Sequence, residues 1–269
     1  NKLAILTLLI LFIVSISCVS AEDSNSVSVL SDSNSDVYVS PTGNDNNVGD
    51  VNNPFATINK AIDSNVSNIH LSEGKFIGTG NNGLTIENKS ITIIGAGADK
   101  TIIDLNKTQF MDIKSTSSVV LTNLTIINGY TKYGGAIYNN GNLTIQNCNF
   151  KNNSATSGGA IYSGTTANLN IYSSTFVNND GVSGGAVKGG GTFINAKFIN
   201  NKATKGGAIY HDSNVLTLKD CIFENNKADD GDDIYGYIAP NGITGGLCLN
   251  MSNTCLLYTS PSPRDSTSS

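Results

Sequence analysis

Two short motifs keep step along the middle of this chain, and their shared period constrains the fold more than any other feature. Gly-Gly followed by a small and then a β-branched residue starts at Gly134 (GGAIY), Gly158 (GGAIY), Gly184 (GGAVK) and Gly206 (GGAIY), with a worn copy at Gly231 (GDDIY). The starts lie 24, 26, 22 and 25 residues apart. A second motif runs at Phe150 (FKNN), Phe176 (FVNN), Phe198 (FINN) and Phe223 (FENN), with spacings of 26, 22 and 25, and Ile126 (IING) reads as an earlier copy. Two motifs repeating in phase mark one structural unit used several times over.

Between the motifs stand alternating segments of two to four residues, such as Leu143–Ile145, Leu169–Ile171, Phe193–Ile194 and Leu216–Leu218. Their period is two, and no helical periodicity survives. About 24 residues is one turn of a parallel β-helix; leucine-rich repeats need Leu at several fixed positions, and a propeller blade needs about 40 residues. The fold class expected is therefore all-β, a right-handed parallel β-helix with 22–26 residues per rung. Phe and the small residue two places before it (Cys148, Ser174, Ala196, Cys221) should point inward. The Asn pairs (Asn152/Asn153, Asn178/Asn179, Asn200/Asn201, Asn225/Asn226) suit a left-handed corner, and stacked amides there can form a ladder. Cys148 and Cys221 fall three rungs apart, about 14 Å at the usual strand spacing, so they read as buried small hydrophobes and not as a disulfide. Less regular coils are expected at Leu84–Ile86, Ile91–Ile94, Thr101–Leu105, Phe110–Ile113 and Val119–Ile127. Before them Asn53-Pro54 opens PFATINKAID, whose Phe55, Ile58, Ala61 and Ile62 share one helical face; a short helix starting there would cover the open end of the solenoid.

Composition sets the surroundings. The chain has 37 Asn, 28 Gly, no Trp, 14% charged residues and a net charge of −5, which excludes a coiled coil and the basic footprint of a nucleic-acid binder. Leu3–Ile16 is a 14-residue apolar run behind Lys2 and before Ser17–Ala21, the pattern of a secretory signal cleaved after Ala21. Residues 22–36 read as a flexible Ser/Asn-rich leader and 37–254 as the β-helix. Cys255–Asp265 (CLLYTSPSPRD) holds the only Arg of the chain and resembles a translated sequencing adapter, so 255–269 is expected to be foreign and the natural protein to continue past Thr254.

Asp36–Asp63 resembles the opening of many secreted parallel β-helix proteins. The GGAI and FxxN repeats resemble those of polymorphic outer-membrane proteins and of adhesin-like surface proteins of methanogenic archaea. The resemblance covers about Val37 to Tyr237. It implies an exported, often glycosylated protein with further repeats and a C-terminal wall or membrane attachment.

Three kinds of site are weighed. Many parallel β-helices cleave polysaccharides, a chemistry that needs clustered carboxylates with a Lys or Arg, or two carboxylates within about 10 Å. Asp104, Asp112, Asp212 and the cluster Asp229, Asp230, Asp232 and Asp233 are the candidates. They form no recognisable constellation in the sequence, His211-Asp212 included, and no catalytic residue is assigned. Asp232 and Asp233 replace Gly and Ala of the worn repeat, as at a frayed end or a turn. The loop Asn44–Asp50 (NDNNVGD) alternates oxygen ligands around a Gly, but no Glu closes it, so it reads as a turn with Ca²⁺ as the alternative, and no other cofactor is expected. Tyr138, Tyr162, Tyr210 and Tyr235 share one repeat position with Lys188, whose charge puts that column in solvent. Such a stripe could grip sugar rings, or it could be plain side-chain stacking. Asn-x-Ser/Thr triplets at Asn65, Asn88, Asn106, Asn123, Asn142, Asn152 and Asn250 fit a glycosylatable surface. The reading is a cell-surface adhesin-like module that binds or displays, with cell-surface or extracellular glycans or a host or partner-cell surface as partners. The alternative is a carbohydrate-active enzyme of pectate-lyase-like type with its site outside this stretch.

Overall fold

One rung shows how the motifs fold. Asn142–Gln146 runs along the first face, a left-handed corner at Asn147 (φ 51°) turns the chain, and Asn149–Lys151 forms the second face. A second left-handed corner at Asn152 (φ 56°) leads into Ser154–Ser157, a short corner strand, and the Gly158-Gly159 bend delivers Ile161–Ser163 to the last face. In the computed structural model, which describes residues 36–212, 215–236, 248–252 and 254–257, this path repeats rung upon rung. The strands stack into sheets of nine, eight and seven strands and a corner sheet of three, all paired in parallel with side chains in register. The expected parallel β-helix is the fold observed. The segments expected to be a signal and a leader lie outside the described residues, apart from Asp36. The backbone of Cys255–Leu257 pairs with Ile222–Glu224.

The core follows from alternation. On the first face Leu143/Ile145, Leu169/Ile171 and Leu216/Leu218 point inward and are buried. On the second face Phe150, Phe176, Phe198 and Phe223 are fully buried and stack with centroids 4.9, 5.1 and 4.9 Å apart and planes within 11° of parallel. Ile126 is the register partner of Phe150, so IING is indeed the preceding copy. Cys148, Ser174, Ala196 and Cys221 are buried beside the Phe column. Burial pushes the Cys148 thiol up to about 12, so it behaves as a small apolar filler.

The two Asn of each pair divide the work. The first takes the left-handed conformation (Asn152, Asn178, Asn200 and Asn225, φ 53–56°), and the second turns inward and is buried. Nδ2 of Asn153 donates to Oδ1 of Asn179, Asn179 to Asn201 and Asn201 to Asn226, at 3.1, 2.9 and 2.9 Å. The last amide, Asn226, donates to Asp233 Oδ1 at 2.9 Å. Asp233 is therefore not a frayed end but a bend: it is buried and accepts the ladder's final hydrogen bond. The first Gly of each Gly-Gly pair is left-handed (Gly134, φ 58°), and a Cβ on the second, as at Gly135, would collide with the carbonyl of Gly159 on the next rung.

The N-terminal helix departs from expectation at its start. It spans Ile58–Asp63 with Thr57 as N-cap, not Asn53-Pro54. Asp45 accepts the backbone N–H groups of Ala56 and Thr57 through Oδ1 and the Thr57 hydroxyl through Oδ2, and the backbone is still extended at Thr57. Phe55 instead bridges to Val39 at the end of the first face. Phe55, Ile58, Ala61 and Ile62 are all buried, as their spacing predicted.

Candidate functional site

The last face places Asp112, Tyr138, Tyr162, Lys188, Tyr210 and Tyr235 in a single column, each the Cα partner of the next. Their inward neighbours Ile137, Ile161, Val187 and Ile209 are fully buried, which turns this column outward. Tyr138 and Tyr162 have ring centroids 5.2 Å apart, and Tyr210 and Tyr235 likewise. Lys188 fills the gap in the row, with its Nζ 5.3 Å from the ring centroids of both Tyr162 and Tyr210 and 3.1 Å from Asp212. The row is thus continuous over five rungs. Tyr210 and Tyr235 stack at 24° and Tyr138 and Tyr162 are tilted at 36°; rings set against one another along the axis turn their faces largely to each other and their edges and hydroxyls outward. Burial pushes the phenols of Tyr162 and Tyr210 upward, with Lys188 pulling the other way, so both remain protonated donors at neutral pH.

Tyr133 adds a residue that the repeat period did not reveal. It lies edge-on to Tyr162 at 5.4 Å and 6.1 Å from Tyr138, and it is 42% exposed. It stands just before the first Gly-Gly, where the later rungs carry Ser157, Ser183 and Lys205, so no repetition flagged it. Lys205 lies over the Tyr235 ring at 4.9 Å and closes the far end of the row.

The acidic candidates do not converge. Asp112 pairs with Lys114 at 2.6 Å, which raises the lysine's pKa, and Asp212 pairs with Lys188. Both carboxylates sit on the same face but four rungs apart, about 19 Å at the usual strand spacing, well beyond the separation of a hydrolytic pair. Asp104 lies on another face, paired with Lys75 at 2.6 Å. In the terminal cluster, Asp232 accepts the Ala228 N–H and Asp233 belongs to the amide ladder. His211 points into the core, 1% exposed, with neither ring nitrogen hydrogen-bonded.

The loop Asn44–Asp50 uses its carboxylates on its own backbone. Asp45 holds Ala56 and Thr57 as described, and Asp50 Oδ1 accepts the N–H groups of Asn52 and Asn53 at 2.9 and 2.7 Å. Those backbone bonds draw the Asp50 pKa below its ordinary value. Asn44 Oδ1 accepts the Asn46 N–H, and Asn47 donates to Pro54 O. The loop is built as a turn by its own side chains.

Comparison with known proteins bears on the repeat first. The model of the Chlamydia polymorphic membrane protein repeat matches residues 147–164 and 195–212. Each matched stretch runs from a left-handed corner through the Phe, the Asn pair and Gly-Gly to the tyrosine column, which is the unit described above. No curated protein matches. Among solved structures, a rhamnogalacturonan lyase is similar over 80% of this chain, at 13% identity and a TM-score of 0.49, and this chain spans 62% of that one. Pectin methylesterase PemA from Erwinia chrysanthemi is similar over 84% of this chain and 91% of its own, at 12% identity and a TM-score of 0.42. A pectin methylesterase mutant in complex with a hexasaccharide covers the same shares at 13% identity and a TM-score of 0.48.

Proposed function

We propose that this β-helix of polymorphic-membrane-protein-type repeats is a non-catalytic, cell-surface adhesin-like module that binds extracellular glycans along the outer column of its last face. The observation that carries the reading is the continuous row Tyr138–Tyr162–Lys188–Tyr210–Tyr235, held rigid by ring stacking and partly open to solvent. A row of phenol hydroxyls and one ammonium at rung spacing matches a polyhydroxylated chain lying parallel to the solenoid axis. Contact is by hydrogen bonds, because the ring faces are engaged with each other. Export and surface attachment belong to the same proposal, supported by the apolar segment Leu3–Ile16 and by the kind of protein for which the matched repeat is named.

Glycan binding of the purified protein, measured on an array and then by titration, tests the reading. The double variant Tyr138→Ala/Tyr162→Ala should weaken binding at least about tenfold, the equivalent of one or two lost hydrogen bonds. Tyr138→Phe/Tyr162→Phe should weaken it nearly as much, because the hydroxyls and not the faces make the contact. Unchanged binding in both variants would sink the proposal.

A further inference from the structure

The short corner sheet begins at Tyr130–Tyr133, and the rung before it has no strand to match. There the chain leaves Asp104 in a turn whose Asn106 and Lys107 are both left-handed, at φ 46° and 67°. The mismatch opens a groove of about 480 Å³ lined by Asp104, Asn106, Lys107, Asn128, Tyr130 and Asn152, with Gly129 and Ser154 behind them.

Its floor is fixed and its rim is free. The Asp104 side chain is 9% exposed; Oδ2 pairs with Lys75 Nζ at 2.6 Å, and Oδ1 accepts Asn128 Nδ2 at 3.0 Å and the Asn106 N–H at 3.1 Å. Burial would raise its pKa, but these three partners outweigh it and keep the carboxylate ionised below its ordinary range. The side chains of Asn106, Lys107, Tyr130 and Asn152, by contrast, make no hydrogen bond, ion pair or ring contact among the described residues. Tyr130 is 63% exposed. Its ring stacks on no other ring among the described residues, unlike those of the tyrosine row, and most of it is open to solvent. Lys75 neutralises Asp104, which leaves Lys107 as the groove's uncompensated charge, in a chain that is otherwise acidic.

We infer that this groove is a subsite for a sugar that carries a carboxylate. The pyranose ring stacks on Tyr130, the Asn106 and Asn152 amides bond its hydroxyls, and Lys107 meets the carboxylate. Open aromatic faces recognise C–H surfaces, amides recognise paired hydroxyls, and an exposed ammonium selects the anionic sugar over its neutral counterpart. The inference is independent of the reading of the tyrosine row, since it uses other residues at another corner of the solenoid.

The test uses the whole chain produced in a host without N-glycosylation, because Asn106 and Asn152 each head an Asn-x-Ser/Thr triplet and a glycan there would fill the groove. Oligosaccharides ending in glucuronate, galacturonate or sialate are arrayed beside their carboxyl-reduced forms. The wild type should prefer the carboxylated probes, and the preference should shrink as salt screens the Lys107 contact. Tyr130→Ala should weaken binding at least about tenfold while Tyr130→Phe keeps it, since only the ring face is needed. Lys107→Asn, which suits the left-handed backbone, should erase the preference and leave weak binding to both forms. The salt-sensitive preference for carboxylated over carboxyl-reduced probes should persist in Tyr138→Ala/Tyr162→Ala, whatever that variant does to total glycan binding. The inference is overturned if no carboxylated probe binds, if Tyr130→Ala with an unchanged urea melt binds like wild type, or if only the Tyr138/Tyr162 variant loses binding.

Discussion

Rungs before and after Gly129 solve the same stacking problem in different ways. From Tyr130 to Gly236 three columns repeat one residue type: Phe on Phe, Asn on Asn and, as far as Gly206-Gly207, Gly-Gly on Gly-Gly. From Asp36 to Gly129 the equivalent second-face column runs Phe76, Ile103, Ile126, no buried amide ladder is present among the described residues, and a helix closes the end. The regular half gains from identity. A like side chain above and below satisfies flat rings and amides in one register, so every rung depends on its neighbours. The irregular half depends on individual fits, such as Asp45 on Ala56 and Thr57 or Asn81 on Ile58. The two styles meet at the mismatch that forms the Tyr130 groove.

Substitutions inside the ladder should break this contrast most. Asn179→Ala removes the acceptor of the Asn153 N–H and amide and the donor to Phe150 O and Asn201. Several buried groups lose partners at once, so the loss should be about 4 kcal/mol in urea unfolding, with a splitting of the transition into two phases. Asn81→Ala in the irregular half removes one acceptor from Ile58 N–H and should cost only about 1–2 kcal/mol. Equal losses at the two sites would erase the distinction.

Phe176→Ala should come next, at about 3–4 kcal/mol, because it leaves a gap between Phe150 and Phe198 that stacked neighbours cannot close by rotating. Ile103→Ala should cost less, about 2–3 kcal/mol, since it removes a smaller side chain and Ile126 can relax into the space. Thermal and urea melts of the pair decide it.

His211 sharpens the comparison through pH. Burial lowers its pKa below the ordinary 6.5, and the opposing pull of Asp212 does not compensate. The unfolded chain then binds the extra proton first as pH falls, so stability is full above about 6.5 and declines through the folded value. The slope should reach at most about 1.4 kcal/mol per pH unit and vanish in His211→Leu. Stability that is flat in both proteins across this window would contradict the burial. The smallest effect belongs to Lys188→Tyr, which completes the tyrosine row. It exchanges one ion pair and two cation–π contacts for two ring contacts and should change stability by less than about 1 kcal/mol.

Repetition explains what the sequence disclosed and what it hid. The rung period, the inward Phe and small residues, the Asn corners and the outward tyrosine column all recur, so alignment of the copies gave each residue its face. The corner at Asn147, Ser173, Asn195 and Asp220 is equally left-handed, but its residues vary and it went unread. The helix start was misplaced because Asp45 acts across eleven and twelve residues, a contact no local signal encodes. Of the two readings of Asp233, a frayed end or a turn, the structure shows a bend, and its acceptor role has no local signal because it needs the ladder before it. Tyr130 and Tyr133 have no counterparts in later rungs, so periodicity was blind to both.

The amide ladder has a direction: from Asn153 to Asn201 each Nδ2 donates to the next rung, Asn153 Oδ1 accepts the Gly129 N–H at one end, and Asp233 accepts the last hydrogen bond at the other. Each interior rung therefore presents an acceptor behind and a donor ahead, like a link with one fixed hook and one fixed eye. A copied rung inserted between Asn179 and Asn201 would find both fittings waiting, whereas a copy added after Asp233 would meet a carboxylate with no proton to give. A gene for such a protein can lengthen by duplication within the ladder while the rung that carries Asp233 stays as it is, so the reach of the ladder can change without its two terminal fittings being redesigned.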